Sequence, residues 1–313
     1  KAGFTLYTAG NLQQAYDVNN DNFSDIPQVR SISVNPTFFY DFDERSSLRI
    51  GINSSFENRL GGDVIAIEEQ PSNAHPFTEE NKSTRLASQA TFQRRISEQA
   101  SIIIRNSINY FDRSIEIPDF TFAGQQLASF SEATYTVANE NTDWVLGANV
   151  YTDQFEEEMF TENPVRDYSN TTFGFFGQNV WSLSDQIALE TGLRIDYNTD
   201  YDWFVLPRVN LLLDLDKHWT ARIGGGMGYI LPTIFSEEAE FRTFQNILPI
   251  RIDGTKAETS LGGNLDINYK TILFENVSFS INNLLFYTQL YDPLILIQNA
   301  GSDKETQEVP LRK

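Results

Sequence analysis

Apolar and polar residues alternate with a period of two along most of this chain, and this pattern constrains the fold more than any other feature. In residues 187–198 the odd positions include Ile187, Leu193 and Ile195, whereas the even positions include Glu190 and Arg194. Successive side chains of a β-strand point to opposite faces, so the pattern predicts a strand with one apolar and one polar face. The same reading predicts strands at residues 1–10, 28–42, 47–58, 82–96, 100–112, 126–138, 143–155, 170–183, 187–198, 203–215, 219–230, 255–270 and 276–291. We identify no convincing helix, so we expect an all-β protein.

The connections between these strands alternate between short and long. Tight turns such as "DERS", "ENTD" and "DKH" alternate with long links at 11–27, 59–81, 113–125, 156–169 and 231–254, and only 199–202 breaks this order. An antiparallel up-and-down meander with short turns at one end and long loops at the other is typical of a transmembrane β-barrel of the outer membrane. A soluble sandwich with Greek-key links would not keep this order over so many strands.

The tryptophans and the strand lengths favour lipid over a protein core as the partner of the apolar face. Trp144, Trp181 and Trp219 adjoin short turns, and Trp203 adjoins the link at the other end. Indole rings collect at membrane–water boundaries. A tilted strand needs about 9–11 residues to cross the hydrocarbon layer, and most of the predicted strands reach that length. We therefore expect an integral protein of the bacterial outer membrane.

This orientation assigns each side chain to lipid or to the barrel lumen. We expect outward side chains at Leu193, Ile195, Val209, Leu211, Ile223 and Leu265. We expect a lumen lined by Arg49, Glu190, Arg194, Asp196, Arg208 and Arg222, and by Gly224, Gly226 and Gly228. Three inward glycines would leave room for another backbone to approach the wall.

Composition and motifs exclude several classes of function. A formal net charge of -20 argues against unspecific nucleic-acid binding, and the lack of cysteine excludes disulfides and a thiol nucleophile. The stretch 222–232 lacks the Lys-Ser/Thr ending of a phosphate-binding loop. His75 and His218 have no neighbour at metal-ligand or catalytic spacing, so each is interpreted as a solvated loop histidine, and the acidic run 153–162 as a solvated loop cluster. We expect no catalytic residues, no metal site and no cofactor.

Several stretches together resemble the barrel domain of TonB-dependent outer-membrane transporters. The stretch "FGFFGQNVWSLSDQIALETGLRIDY" (173–197) is similar to a family run that ends one strand near "W.L", turns and continues as "L..GLR.DY". The stretches "LPRVNLLL" (206–213) and "TARIGGGMGYILPTIF" (220–235) resemble "SPR.NLLY" and "LRASYGRGFRAPTL". Two further matches, in the same order, are "NILPIRIDGTKAETSLGGNLDINYK" (246–270) and "NNLLFYTQLYDPLILIQNAG" (282–301). Ile230 departs from the pattern, because the family often has Arg there.

The resemblance implies an importer rather than an enzyme. Family barrels have roughly 22 strands, of which this chain would supply about 13 to 14, with the start of a further strand at 308–311. Residues 1–313 would thus be a partial barrel domain without the plug domain and the last strands. The implied partners are the N-terminal plug, the TonB-type energising protein, outer-membrane lipid and a small nutrient such as a ferric siderophore, cobalamin, a glycan or a peptide. A passive porin-like channel and, behind it, a soluble β-sheet binding module remain alternatives.

Ligand capture would use side chains on the long-loop side. Aromatic rings and arginines give large contact areas and hydrogen bonds at modest entropy cost. On this basis we predict ligand contacts at Arg166, Tyr168, Tyr201, Phe235, Arg242 and Tyr291.

Overall fold

The computed structural model describes residues 1–158, 165–298 and 305–308 and is almost entirely β-structure. In these residues one sheet contains β1 (Ala2–Gln13), β2 (Gln28–Asp41), β3 (Ser46–Gly62), β4 (Thr78–Arg95), β5 (Ala100–Ile117), β6 (Phe120–Ala138), β7 (Thr142–Glu157), β8 (Tyr168–Ser184), β9 (Ile187–Asn198), β10 (Asp202–Asp214), β11 (Trp219–Ile230), β12 (Glu258–Leu273) and β13 (Val277–Tyr291). A separate hairpin pairs β14 (Ile295–Gln298) with β15 (Glu305–Glu308). Of the strand start predicted at 308–311, only residue 308 belongs to the described residues, and 309–311 lie outside them.

Helix is confined to the loops. The two α-helices described are α1 (Val64–Glu69) and α2 (Glu237–Phe241), and a 3-10 turn spans Ile252–Gly254. Their N-caps are Asp63 and Ser236, whose side chains accept hydrogen bonds from backbone N–H groups of the first turn. No helix in the described part of the chain has the length and apolarity needed to cross a membrane.

The strands pair in sequence order. All 13 lie in the order β1 to β13, each antiparallel to its neighbours. This confirms the predicted up-and-down meander. Short connections at 42–45, 96–99, 139–141, 185–186, 215–218 and 274–276 lie together at what we call the short-turn end. Longer connections at 14–27, 63–77 and 231–257 lie at the opposite, long-loop end, where β7 ends and β8 begins.

The predicted long link at 113–125 is wrong. The strands β5 and β6 run on through this stretch and are joined by the two residues Pro118 and Asp119. Proline presets the backbone for a tight turn, and Asp119 takes a positive φ of 63°, a conformation that Asp tolerates better than most residues. The hairpin therefore extends both strands, and Ile115 and Phe122 face each other across it.

The register separates the side chains into two faces, because directly opposed residues of an antiparallel pair project to the same side. One row crosses the sheet through Arg49, Thr91, Arg105, Glu132, Asn149, Gly174 and Asp196. We call the side that carries this row the polar face; it also carries Glu190, Arg194, Arg208, Arg222, Gly224, Gly226 and Gly228. The opposite, apolar face carries Leu193, Ile195, Val209, Leu211, Ile223 and Leu265. The sorting into two faces thus follows the predicted alternation, whereas the assignment of these faces to lipid and lumen stays a prediction.

Candidate ligand-binding site at the long-loop end

The connection between β11 and β12, residues 231–257, which we call the β11–β12 loop, folds back onto the polar face of β5–β7. Phe244 is 1% exposed, and its ring stacks on Phe122 with 4.3 Å between ring centroids. Ile234 and Ile247 enter the same buried cluster. Burying a large apolar side chain stabilises by about 1.5–3 kcal/mol, so this cluster is the main force that holds the loop on the sheet.

Arg166 connects the β11–β12 loop to the end of β7 through hydrogen bonds and an ion pair. Its Nε donates a 2.8 Å hydrogen bond to the Glu157 carboxylate, its Nη2 pairs with the same group, and its Nη1 donates to the Phe244 carbonyl at 2.8 Å. The guanidinium also lies 5.1 Å from the centroid of the Phe122 ring. Arg166 is 6% exposed. Its donors are therefore used within the chain, and in this conformation it holds the loop rather than facing a ligand.

A second contact to the loop comes from β5. The Arg113 guanidinium donates a 2.7 Å hydrogen bond to the Glu240 carboxylate of α2. Since Glu240 is largely exposed, this ion pair adds little energy on its own, about 0–1 kcal/mol. It does fix which side of the loop faces β5.

Tyr168 lies at the edge of the cluster and carries a polar group into it. Its ring packs against Phe155 and Phe235, and its hydroxyl donates to Asp153 at 3.3 Å. The Nε2 of Gln126 donates both to Asp153, at 2.8 Å, and to the Tyr168 hydroxyl, at 3.0 Å. This small network joins three neighbouring strands below the aromatic rings.

The predicted ligand contacts divide into groups. Arg166, Tyr168 and Phe235 lie together, and Arg242 ends α2 on the same loop. Tyr201 lies in the β9–β10 turn, where burial, and after it the charge of Asp200, raises the pKa of its phenol. Tyr291 ends β13, opposite Thr259. All six positions are at the long-loop end, but the structure gathers only part of them into one cluster, and their role in ligand binding stays a prediction.

Sequence reasoning missed several residues of this site. The acidic run at 153–162 is not a solvated loop cluster throughout: residues 153–157 belong to β7, Asp153 is buried, and Glu157 pairs with Arg166. Residues 159–162 lie outside the described part of the chain. Phe244 and Gln126 were not singled out either. The signal was present, because Asp153 and Phe155 continue the strand alternation beyond the length that a membrane requires.

His75 is also not simply a solvated histidine. Its Nδ1 lies 2.6 Å from Asp63 Oδ2 in the β3–β4 loop. Partial burial raises the pKa of Asp63, but hydrogen bonds from His75 and from the N–H groups of Ile65 and Ala66 outweigh that effect and hold it below its ordinary value. His218, in a short turn, approaches the Lys270 carbonyl at 3.0 Å. Within the described residues, no three His, Cys, Asp or Glu side chains are placed to hold a metal ion.

Farther along the polar face, predicted lumen residues bind one another. Arg194 Nε and the Tyr229 hydroxyl both donate to Asp196 Oδ2, at 2.8 and 2.9 Å, and Arg194 Nη2 donates to Asn149 at 3.2 Å. A Cβ on Gly174 would lie 2.6 Å from atoms of Arg194, Asn149 and Asp196. The missing side chain is what allows these groups to converge over β8.

The three glycines of β11 serve a similar purpose. A Cβ on Gly224 would overlap the Asn210 side-chain amide, and one on Gly228 would lie 3.1 Å from Ser260 Oγ. One on Gly226 would lie 3.2 Å from the Pro207 carbonyl. In this structure the space beside the glycines is used by neighbouring strands of the wall. The sequence reading expected that space to admit a separate backbone.

Comparison with known proteins identifies the architecture. The model of the family described as "TonB dependent receptor-like, beta-barrel" matches residues 2–306. The siderophore receptor PirA from Acinetobacter baumannii superposes with a TM-score of 0.74 and 13% identity over 98% of this chain and 52% of its own. The ferric enterobactin receptor PfeA from Pseudomonas aeruginosa, as a Q482A mutant in complex with enterobactin, gives 0.71 and 12% identity over 98% of this chain and 53% of its own.

A sequence relative agrees with these structures. The iron-regulated outer membrane virulence protein of Vibrio cholerae is 33% identical over 66 residues, which are 21% of this chain and 10% of the relative. The chain spans about half the length of the solved receptors. Because the family model covers nearly the whole sequence, this chain belongs to the TonB-dependent receptor β-barrel family.

Proposed function

We propose that this chain is part of the barrel of an outer-membrane transporter, which imports a scarce nutrient with energy from a TonB-type protein. The observation that carries the proposal is the family match over residues 2–306. In this reading the apolar face contacts lipid and the polar face lines the lumen. A plug domain supplied by another part of the protein would occupy that lumen on the short-turn side and leave the wall near the long-loop end open to the ligand.

The β11–β12 loop favours import over passive diffusion. It covers the polar face of β5–β7 with a buried apolar cluster and a buried ion pair. A porin-like channel would need a clear lumen with charged rings at a constriction. A loop fixed over the wall would instead form one side of a binding site at the entrance.

The ligand would meet this entrance at Tyr168 and Phe235. Both rings border the cluster and are only partly buried. Arg166 would act indirectly by holding the loop that carries Phe235. Ferric siderophores, cobalamin, glycans and peptides are the ligand classes that the proposal includes.

The test is uptake by the full-length protein in whole cells. Iron complexes and the other ligand classes are supplied to cells with and without the energising protein. We expect accumulation of one class to depend on both the receptor and the energiser, whereas accumulation that persists without the energiser would favour a passive channel.

A matched pair of variants places the ligand. Phe235→Ala removes a ring from the cluster, whereas Phe241→Ala removes an α2 ring of the same loop that is 91% exposed. We expect Phe235→Ala to weaken binding by roughly tenfold or more and Phe241→Ala to leave it unchanged. Equal effects would remove the cluster from the ligand site.

A further inference from the structure

A polar groove lies on the polar face of β2–β6, beside the aromatic cluster. Its volume is about 520 Å³, and its lining includes Asn53, Arg85, Asn109, Phe111 and Gln126. The register explains how it forms. Ser55, Arg85, Phe111 and Gln126 make one cross-strand row, and Asn53, Ala87, Asn109 and Ala128 make the next. The small side chain of Ala87, between Asn53 and Asn109, leaves the space open.

Arg85 is the charged residue of this groove. Its guanidinium carbon lies 4.4 Å from the centroid of the Phe111 ring, which holds the planar group against the wall. Among the described residues, no carboxylate lies within 4 Å of Arg85, and no other charged side chain lines the groove. In contrast, Arg105 on the same strand face is paired with Glu132 at 2.8 Å. The described residues therefore leave the positive charge of Arg85 without a carboxylate partner, in a chain whose net charge is -20.

Three side-chain amides of the groove have hydrogen-bonding groups that are not in use. In the described structure, the side chains of Asn53 and Asn109 are exposed and make no hydrogen bond. Gln126 uses its Nε2 for Asp153 and Tyr168, which leaves its Oε1 as an acceptor. An amide offers donors and acceptors together, so these groups match ligand hydroxyl or amide groups.

We propose that this groove binds a ligand carboxylate at Arg85 and that the flanking amides bind hydroxyl or amide groups of the same ligand. A guanidinium is a planar fork of donors that matches a carboxylate in two parallel hydrogen bonds. Gln126 links the groove to Tyr168, so the two surfaces can hold one ligand. This inference rests on the proposed import function and narrows its ligand to acidic sugars or peptides with a free carboxylate.

The experiment uses the purified full-length receptor and two matched pairs of probes. Digalacturonate is compared with its dimethyl ester, and N-acetyl-trialanine with its C-terminal amide, by calorimetry at low salt. Each pair differs in the charge of the carboxyl groups, and the two pairs distinguish a sugar from a peptide source. In at least one pair we expect the acid to bind roughly 10- to 100-fold tighter than its neutral twin.

Three variants assign that preference to the groove. Arg85→Gln should abolish the preference for the acid. Asn53→Asp, which adds a carboxylate to the groove, should weaken binding of the acid but not of its neutral twin. Arg105→Gln removes the same charge from a paired position and should leave the preference intact. The inference is overturned if neither acid binds, if acid and neutral twin bind equally in both pairs, or if the preference survives in Arg85→Gln.

The uptake assay separates this inference from the import function. Energised uptake that persists while no probe shows a carboxylate preference would refute the groove alone. Carboxylate binding at Arg85 without any energiser-dependent uptake would refute the import function and leave the groove standing.

Discussion

Replacing Arg166 by Ala tests how the β11–β12 loop is held on the sheet. Arg166 contacts Glu157, the Phe244 carbonyl and the Phe122 ring, and both members of the ion pair are nearly buried. Removing one partner of a buried ion pair costs about 3–5 kcal/mol, because the remaining charge loses its compensation. The contacts join the loop and the 165–167 segment to the strand ends and add nothing to the sheet ladder. We therefore expect the cost to fall on loop docking and to leave the barrel folded.

Hydrogen exchange of the Phe244 amide measures this cost. That N–H donates to the Ala239 carbonyl at 2.9 Å, a hydrogen bond within the loop itself. A helix of five residues is not stable on its own, so we expect this amide to be protected only while the loop is docked. Since about 1.4 kcal/mol corresponds to tenfold, a loss of 3–5 kcal/mol would accelerate exchange by roughly two to four orders of magnitude, up to the limit set by the fully undocked loop.

Arg208→Ala is the matched control. Arg208 also lies on the polar face, but it is 64% exposed at its side chain and 3.6 Å from Glu190, so its pair is worth about 0–1 kcal/mol. Exchange at Phe244 should not change in this variant. Unaltered exchange in Arg166→Ala would show that the aromatic cluster alone holds the loop and would refute the role given to Arg166.

Three further predictions concern the faces, the packing and the β3–β4 loop. Leu211→Arg, on the apolar face, should cost roughly 2–4 kcal/mol of barrel stability in a lipid-based unfolding assay. Leu212→Arg, on the polar face, should cost much less. Equal costs would contradict the assignment of lipid to the apolar face. Gly174→Ala should destabilise the barrel by about 1–3 kcal/mol in the same assay, because the added Cβ would meet three polar atoms at 2.6 Å. Gly192→Ala should be tolerated, because the nearest atom to its added Cβ would be 3.7 Å away. The lowered pKa of Asp63 means that its stabilising effect on α1 is present above the ordinary carboxyl value of 3.8 and is lost as the pH falls below it. The protection of the Ile65 amide, taken as the ratio of its intrinsic to its observed exchange rate at each pH, should therefore fall on acidification in the native chain and stay constant in Asp63→Asn.

The sequence predicted the strands well because the alternation is imposed by surroundings that differ on the two sides of every strand. The bounds of β9 and β11 match the prediction residue for residue, and the turns "DERS", "ENTD" and "DKH" connect successive strands as predicted. The short turn at Pro118–Asp119 was not predicted. The family assignment confirms the predicted outer-membrane barrel. Prediction failed at the long-loop end, where β5 and β6 continue to Ile117 and Phe120 and where two short helices form in loops. Strand length there is no longer set by the thickness of a membrane, so neither the expected strand length nor turn-forming residues predict where a strand ends and a loop begins.

The same loss of constraint accounts for why the candidate site was only partly predicted. Near the middle of the strands the polar face carries residues such as Arg105 and Asn149, as the alternation requires. At the long-loop end the same face carries Ile115, Phe122 and Phe155, which are apolar and at most 3% exposed. Apolar side chains on the polar side of a strand must be covered by something other than lipid. A change of character along one face, with the period unbroken, therefore marks where a loop folds back onto the wall. That signal can be read from the sequence only once β5 and β6 are known to continue to Ile117 and Phe120. The predicted link at 113–125 concealed this continuation.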